Sequence, residues 1–212
     1  MLTAVLAGSA GQASAQSEPR VTRADVAGTI SWLAADVHPT GLYNDNNWIN
    51  SFFGAASAGW HWTDHLKTEV DFGVGSRART FSTEQIVIDN RVSYVTTDSR
   101  FARRTLGISQ QYQFLHNVWF HPHLAAGAHV TWERRTDRRV PIYIYDQVTG
   151  TSRTVTLAQH EGPRTSVRVR PFVAAGFKAY MTERVFFRQD FRVAFRGGPD
   201  ETVLRLGFGF DF

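Results

Sequence analysis

An all-β fold, an eight-stranded antiparallel transmembrane up-and-down β-barrel, follows from three features of the 212-residue sequence. Apolar and polar residues alternate with period 2 in eight segments, as they do in strands with two unlike faces. The connections between those segments are alternately short and long, the pattern of a chain that crosses a membrane back and forth. No apolar run approaches the roughly 18 residues that a spanning helix needs, so a chain that spans must close its strands into a barrel.

Taken in order, the first segment, near Val26 to Ala35, sets Ile30 and Trp32 opposite Thr29 and Ser31. The second sets Gly54, Ala56, Ala58, Trp60 and Trp62 opposite Phe53, Ala55, Ser57, Gly59 and His61. In the third, Val70, Phe72, Val74 and Ala78 oppose Lys67, Glu69, Asp71, Gly73, Gly75, Arg77 and Arg79. The fourth, Ala102 to Phe114, is the least regular, with Arg104 and Gln110 among Leu106, Ile108, Tyr112 and Phe114. The fifth opposes Phe120, Leu124, Ala126, Ala128, Val130 and Trp132 to His121, His123, Gly127, His129 and Glu133. The sixth sets Val167, Val169, Val173, Ala175 and Phe177 against Arg168, Arg170, Gly176 and Lys178. The seventh sets Val185, Phe187, Phe191, Val193 and Phe195 against Arg188, Asp190, Arg192, Ala194 and Arg196, with Gln189 on the apolar face. The eighth is the clearest: Leu204, Leu206, Phe208, Phe210 and Phe212 against Val203, Arg205, Gly207, Gly209 and Asp211.

Short turns are expected at Thr63-Asp64-His65, Leu115-His116-Asn117 and Thr182-Glu183, and long polar connections at 37–49, 82–99 and 134–164. A Gly197-Gly198-Pro199-Asp200 turn completes the long-loop side. Two of the long loops read as hairpins that continue their strands: Ile86–Ile88 with Val92–Val95 around Asp89-Asn90, and Ile142–Tyr145 with Arg153–Leu157 around Val148-Thr149-Gly150. The loop through His38-Pro39-Thr40-Gly41 shows turn chemistry only. Pro122 and Pro171 fall in strands that closure pairs on both sides, so bulges or strand ends are expected there.

Alternation alone does not separate a membrane barrel from a soluble one, because inside and outside are simply exchanged. Glycines decide it first: Gly73, Gly75, Gly107, Gly127, Gly176, Gly207 and Gly209 share the charged face. Eight strands leave an interior just wide enough to fill with side chains, and small residues there make room for arginines. Aromatics collect at the apolar strand ends, Trp60, Trp62, Tyr112, Phe114 and Phe120 near the short turns and Trp32 and Trp132 near the long loops. Such belts belong at the two membrane interfaces.

The ending Leu206-Gly-Phe208-Gly-Phe210-Asp-Phe212 resembles the C-terminal assembly signal of outer-membrane proteins, and 24–212 resembles the small OmpA/OmpX type of barrel. That resemblance implies a bacterial outer-membrane location and recognition of Leu206, Phe208, Phe210 and Phe212 by the barrel-assembly machinery. It implies outer-membrane lipid and lipopolysaccharide as surroundings, and a monomer. An even strand number puts both termini on the short-turn side, which such barrels keep in the periplasm.

One domain is expected, 16–212. Residues 1–15 read as a signal peptide, from the apolar Met1–Gly8 and the small-x-small Ala13-Ser14-Ala15, although a basic start is missing and a truncated leader or a plain Ala/Gly/Ser terminus also fits. The chain has no cysteine, which excludes disulfides and thiolate metal sites. Its formal charge is +4. The expected lumen network, Glu69, Asp71, Arg77, Arg79, Arg168, Arg170, Arg188, Asp190, Arg192 and Arg205, with Lys67, Arg103, Lys178, Arg196, Glu133 and Asp211, would absorb most of the positive side. A salt-bridged plug and a narrow anion-preferring pore both fit that set. Because the positives point inward, nucleic acid is not expected as a partner.

His121 and His123 with His61, Ser109, Glu69 and Asp71 raise a His-Ser-acid possibility of the outer-leaflet lipid-modifying kind, but no tight local motif supports it. No catalytic residue, metal ligand or cofactor is therefore assigned, and the reading is non-enzymatic. The run Arg134, Arg135, Arg138 and Arg139, just past Trp132, is either a grip on lipopolysaccharide phosphates or a solvated rim. The leading role is envelope integrity or surface contact through the protruding hairpins.

Overall fold

The computed structural model describes residues 23–36, 48–75, 78–88, 91–115, 119–146, 150–155 and 163–212. The expected leader, the loop around His38 and the tips of both long hairpins lie outside them. The described chain is all strand: β1 (Ala24–Asp36), β2 (Trp48–His61), β3 (Leu66–Gly75), β4 (Ala78–Ile88), β5 (Arg91–Gln113), β6 (Phe120–Arg139), β7 (Ile142–Asp146), β8 (Thr151–Val155), β9 (Arg164–Tyr180), β10 (Val185–Phe195) and β11 (Pro199–Asp211). β3, β2, β1, β11, β10, β9, β6 and β5 pair in that order, all antiparallel, and β3 pairs back onto β5, so eight strands close. Closure leaves these strands no open edge within the barrel wall. β4 prolongs β3 along β5, and β7–β8 form a separate hairpin, so two long loops do continue as strands.

The seam between first and last strand is well knit. Asp25 to Ala35 pair in register with Asp211 to Glu201, and beyond them Ala24 and Phe212 exchange both backbone bonds, at 3.2 and 2.9 Å. Both chain ends of the barrel therefore sit with the short turns Trp62–His65 and Met181–Arg184, each closed by a threonine hydroxyl that accepts backbone N–H groups.

The alternation runs along the barrel strands, apart from the loop ends of β1 and β11. Ile30, Phe72, Ile108, Leu124, Val169, Phe191, Leu206 and Phe208 are exposed on the outer wall, whereas Ser31, Glu69, Gln111, His123, Arg170, Asp190 and Arg205 are buried inside. An isolated soluble domain would not leave Val169 66 % and Ile30 71 % exposed within a contiguous apolar band. From Val167 to Phe177 the outward residues of β9 cover roughly 25 Å of height once strand tilt is allowed for, the thickness of an outer-membrane band. Trp60, Trp62, Tyr112, Phe114 and Phe212 ring the turn end, and Trp32 and Trp132 mark the loop end.

Both prolines fall where a ladder stops. β9 pairs with β10 only from Phe172 onward, so Pro171 lies one residue past the last rung on that side while still facing Ala128 of β6. Pro122 lies beyond the last β5–β6 pair, Gln113 with His123, and its carbonyl accepts from the Phe114 N–H at 3.0 Å.

Two irregularities escaped the alternation pattern. Val74 faces Arg104 and Ala78 faces Phe101, so β3–β4 advances four residues while β5 advances three. The extra residue reverses the faces of β4. Ala78 is consequently buried and Arg79 exposed, the opposite of the expected placement. Arg77 lies outside the described residues. The second irregularity is in β11: Ala194 faces Glu201 but Phe195 faces Pro199, leaving Asp200 as an extra residue. Arg196 sits in the exposed turn that follows β10, not in the lumen.

Candidate functional site

The lumen gathers ionisable side chains from every strand of the barrel wall, and it is packed with paired charges in three tiers. At the turn end, Asp25 of β1 accepts from Lys67 Nζ of β3 at 2.9 Å and from Lys178 of β9, while Lys67 also donates to Glu69 at 2.7 Å. Tyr180 donates its hydroxyl proton to Asp211, and Lys178 lies over the Phe186 ring, 4.2 Å from its centroid. Both lysines are 0 % exposed. Such burial is tolerable only because each ammonium has at least two partners.

The middle tier is a relay of arginines and carboxylates from β3, β10 and β11. Arg188 donates to Glu69 and, at 2.9 Å, to Asp190. Arg205 donates Nε to Asp190 at 2.6 Å and an NH group to Asp71 at 2.8 Å. Arg192 reaches the same Asp71 oxygen at 2.8 Å and stacks on Phe172, 3.7 Å from the ring centroid. Gly107 explains how Asp71 fits, since a Cβ there would stand 2.0 Å from its Oδ2. Gly209 does the same for Phe186, whose Cζ would lie 2.2 Å from a Cβ.

The upper tier gains a second carboxylate from the β11 bulge, which turns Asp200 inward beside Glu201. Arg170 Nε donates to Asp200 at 2.8 Å, Arg103 donates to Glu201, and His129 Nε2 lies 3.5 Å from Glu201. Above and beside it, Leu33, Ala35, Ile49, Ala78, Phe101 and Val203 form an apolar cluster with Phe53. Side chains thus occupy the lumen from the turn end to the loop end.

Counted over these tiers, Lys67, Arg103, Arg170, Lys178, Arg188, Arg192 and Arg205 face Asp25, Glu69, Asp71, Asp190, Asp200, Glu201 and Asp211, seven against seven. The expected basic excess is not there. Arg79 is on the outer wall and Arg196 in a turn, while Asp25, Asp200 and Glu201 supply carboxylates that were not anticipated. Arg168 does face inward and is half-buried, without an ion pair among the described residues; Glu133 is buried on the same side. Extending the inward parity of β1 by two steps reaches Asp25, and the same rule reaches Phe186 from Arg188. Nothing comparable announces Asp200, which is inward only because of the bulge.

The His-Ser-acid grouping is not assembled. Ser109 faces Gly127, and His123 lies four residues along β6 from there, about 13 Å at strand rise. His123 is buried with neither ring nitrogen hydrogen-bonded among the described residues, and His121 packs its ring on Tyr180 at 5.1 Å.

The arginine run after Trp132 is divided between the faces. Arg134 and Arg138 are exposed on the outer wall. Arg135 turns inward, where it donates to Asp137 at 2.7 Å and lies over Phe101, and Arg139 shares that inward parity. On the neighbouring strands Arg79 donates twice to Asp98, at 2.7 and 2.8 Å, and holds that carboxyl below the usual carboxylate range.

A family profile described as Outer membrane protein beta-barrel domain matches residues 1–212. Among solved structures, Neisserial surface protein A is similar at 16% identity and a TM-score of 0.50, with 89% of this chain and 97% of that one covered. The N-terminal β-barrel domain of Pseudomonas aeruginosa OprF is similar at 14% identity and a TM-score of 0.49, with 89% and 97% covered. OprG from Pseudomonas aeruginosa gives 12% identity and a TM-score of 0.49, with 90% and 96% covered. A search of curated protein sequences finds no match.

Proposed function

The chain belongs to the outer membrane protein beta-barrel domain family, and from that membership and the filled lumen we propose that this bacterial outer-membrane barrel is a non-enzymatic, non-conducting envelope protein. Its short-turn end and both termini face the periplasm, and its β4–β5 and β7–β8 hairpins face outward to support envelope integrity or surface contact. It acts as a monomer, inserted by the barrel-assembly machinery through the Leu206-to-Phe212 ending.

One observation carries this reading: the charges of the three lumenal tiers balance and are paired across the barrel, with an apolar cluster above them. An anion pore needs a surplus of cations along a wet path, and a narrow eight-stranded interior filled by ion pairs offers neither. Among the described residues, no His-Ser-acid grouping in the lumen supports the lipid-modifying alternative.

The test is electrical. Refolded protein in planar bilayers should show no steady single-channel conductance, whereas the combined Arg188→Ala, Arg192→Ala and Arg205→Ala variant should leak. Sustained, anion-selective conductance from the unaltered chain would overturn the reading.

A further inference from the structure

Among the described residues, four arginines stand in an ordered row on the outer wall, away from the balanced lumenal tiers. Arg104 faces Trp132 across the β5–β6 ladder, Ala102 faces Arg134, Arg100 faces Thr136 and Asp98 faces Arg138. All four arginines are exposed on the outer wall. They therefore alternate between two neighbouring strands, one every second residue, or about 7 Å per step. The lowest, Arg104, lies level with the girdle residue Trp132 and beside Val74, while Leu106 and Ile108 continue into the apolar band. The highest, Arg138, stands roughly 20 Å further along the strands.

Little on the protein itself neutralises this ladder. Asp98 is occupied by Arg79 and Arg100, at 2.7 and 3.5 Å. No ion pair of Arg104, Arg134 or Arg138 is found among the described residues. Guanidiniums in such a row bind phosphates through paired, charge-assisted hydrogen bonds.

We propose that Arg104, Arg134, Arg100 and Arg138 form a binding track for a phosphorylated outer-leaflet glycolipid, with Arg104 at its headgroup phosphate and the upper arginines along its charged saccharide. The length of the track selects this ligand. A phospholipid carries its phosphate at one depth and would meet only the lowest arginine, whereas a lipopolysaccharide spreads anionic groups away from the membrane. The track also redefines the grip on lipopolysaccharide anticipated for the Arg134–Arg139 run: Arg104 and Arg100 join it, and the inward Arg135 and Arg139 leave it. It rests on the loop end facing outward, which surface labelling of Arg153→Cys on intact cells tests separately.

The full chain, refolded in detergent, is titrated with four probes: rough lipopolysaccharide, the same material dephosphorylated, phosphatidylglycerol and soluble heparin fragments. The unaltered protein should bind the phosphorylated lipopolysaccharide roughly tenfold more tightly than any other probe. Combined Arg104→Gln, Arg134→Gln and Arg138→Gln should abolish that preference while heat-dependent gel mobility is kept. If the combined variant does not fold, Arg134→Gln alone should weaken binding by about threefold. An undiminished preference in either folded variant overturns the track. Equal binding of phosphatidylglycerol would reduce it to a generic anionic surface, and tighter binding of heparin would assign it to a soluble polyanion; either result rejects the glycolipid assignment.

Discussion

Arg205 shows how single side chains hold this lumen. Its guanidinium is buried and bridges Asp190 and Asp71, carboxylates from two other strands that are left with Arg188 and Arg192 alone if the arginine is removed. Arg205→Met should therefore lower stability by about 3–5 kcal/mol, the usual cost of breaking a buried ion pair by removing one partner, read as a shifted urea midpoint. Arg168→Met, on an inward residue without an ion pair among the described residues, should move the midpoint by less than about 1 kcal/mol. Equal shifts would mean that the pairing is not what holds Arg205 in place. At this scale the sequence was highly legible: period-2 parity placed Glu69, Asp71, Arg170, Arg188, Asp190, Arg192 and Arg205 inside. Their pairings were not legible, because they join strands far apart in sequence, such as Asp25 with Lys178.

Elements were legible wherever parity ran unbroken, and failed where one residue was inserted. The extra residue between β3 and β4 cannot be seen in the sequence, since Ala78 and Arg79 continue the earlier alternation; only pairing with β5 reverses them. The β11 bulge is equally silent, yet it delivers Asp200, one of the two carboxylates of the upper tier. Deleting Asp200 should restore regular β10–β11 pairing while leaving Arg170 short of a partner. The variant should unfold at a lower urea concentration than Asp200→Asn, which keeps the bulge and a hydrogen-bond acceptor. A deletion variant as stable as the unaltered protein would show that the bulge is incidental.

The last strand separates assembly from stability. Phe212 is bound into the seam through its backbone, which Phe212→Ser leaves intact, and its ring is 62 % exposed. Refolded from urea into detergent, Phe212→Ser should reach nearly the unaltered midpoint. In cells it should accumulate in the periplasm or be degraded, if the terminal ring is the group that the assembly machinery reads. Normal outer-membrane levels would detach the ending from that role.

Over the whole molecule, the arrangement separates three environments: a neutral, ion-paired lumen, an apolar outer band, and a basic outer surface beyond Trp132. The barrel, its strand number and its outward face were readable from alternation and turn spacing. The distribution of charge was not, because a basic composition says nothing about which arginines meet carboxylates. The sidedness of the wall is the claim on which the lumen, the track and the assembly signal all depend. The chain lacks cysteine, so single cysteines carrying nitroxide labels report one position each. In a reconstituted bilayer, labels at Val26, Gly28 and Ile30 should collide with dissolved oxygen and be shielded from a water-soluble nickel complex. Labels at Ala27, Thr29 and Ser31 should be immobilised and reached by neither. Nickel access at Val26, Gly28 or Ile30, or equal oxygen access on both parities, would contradict a membrane-spanning barrel with this inside and this outside.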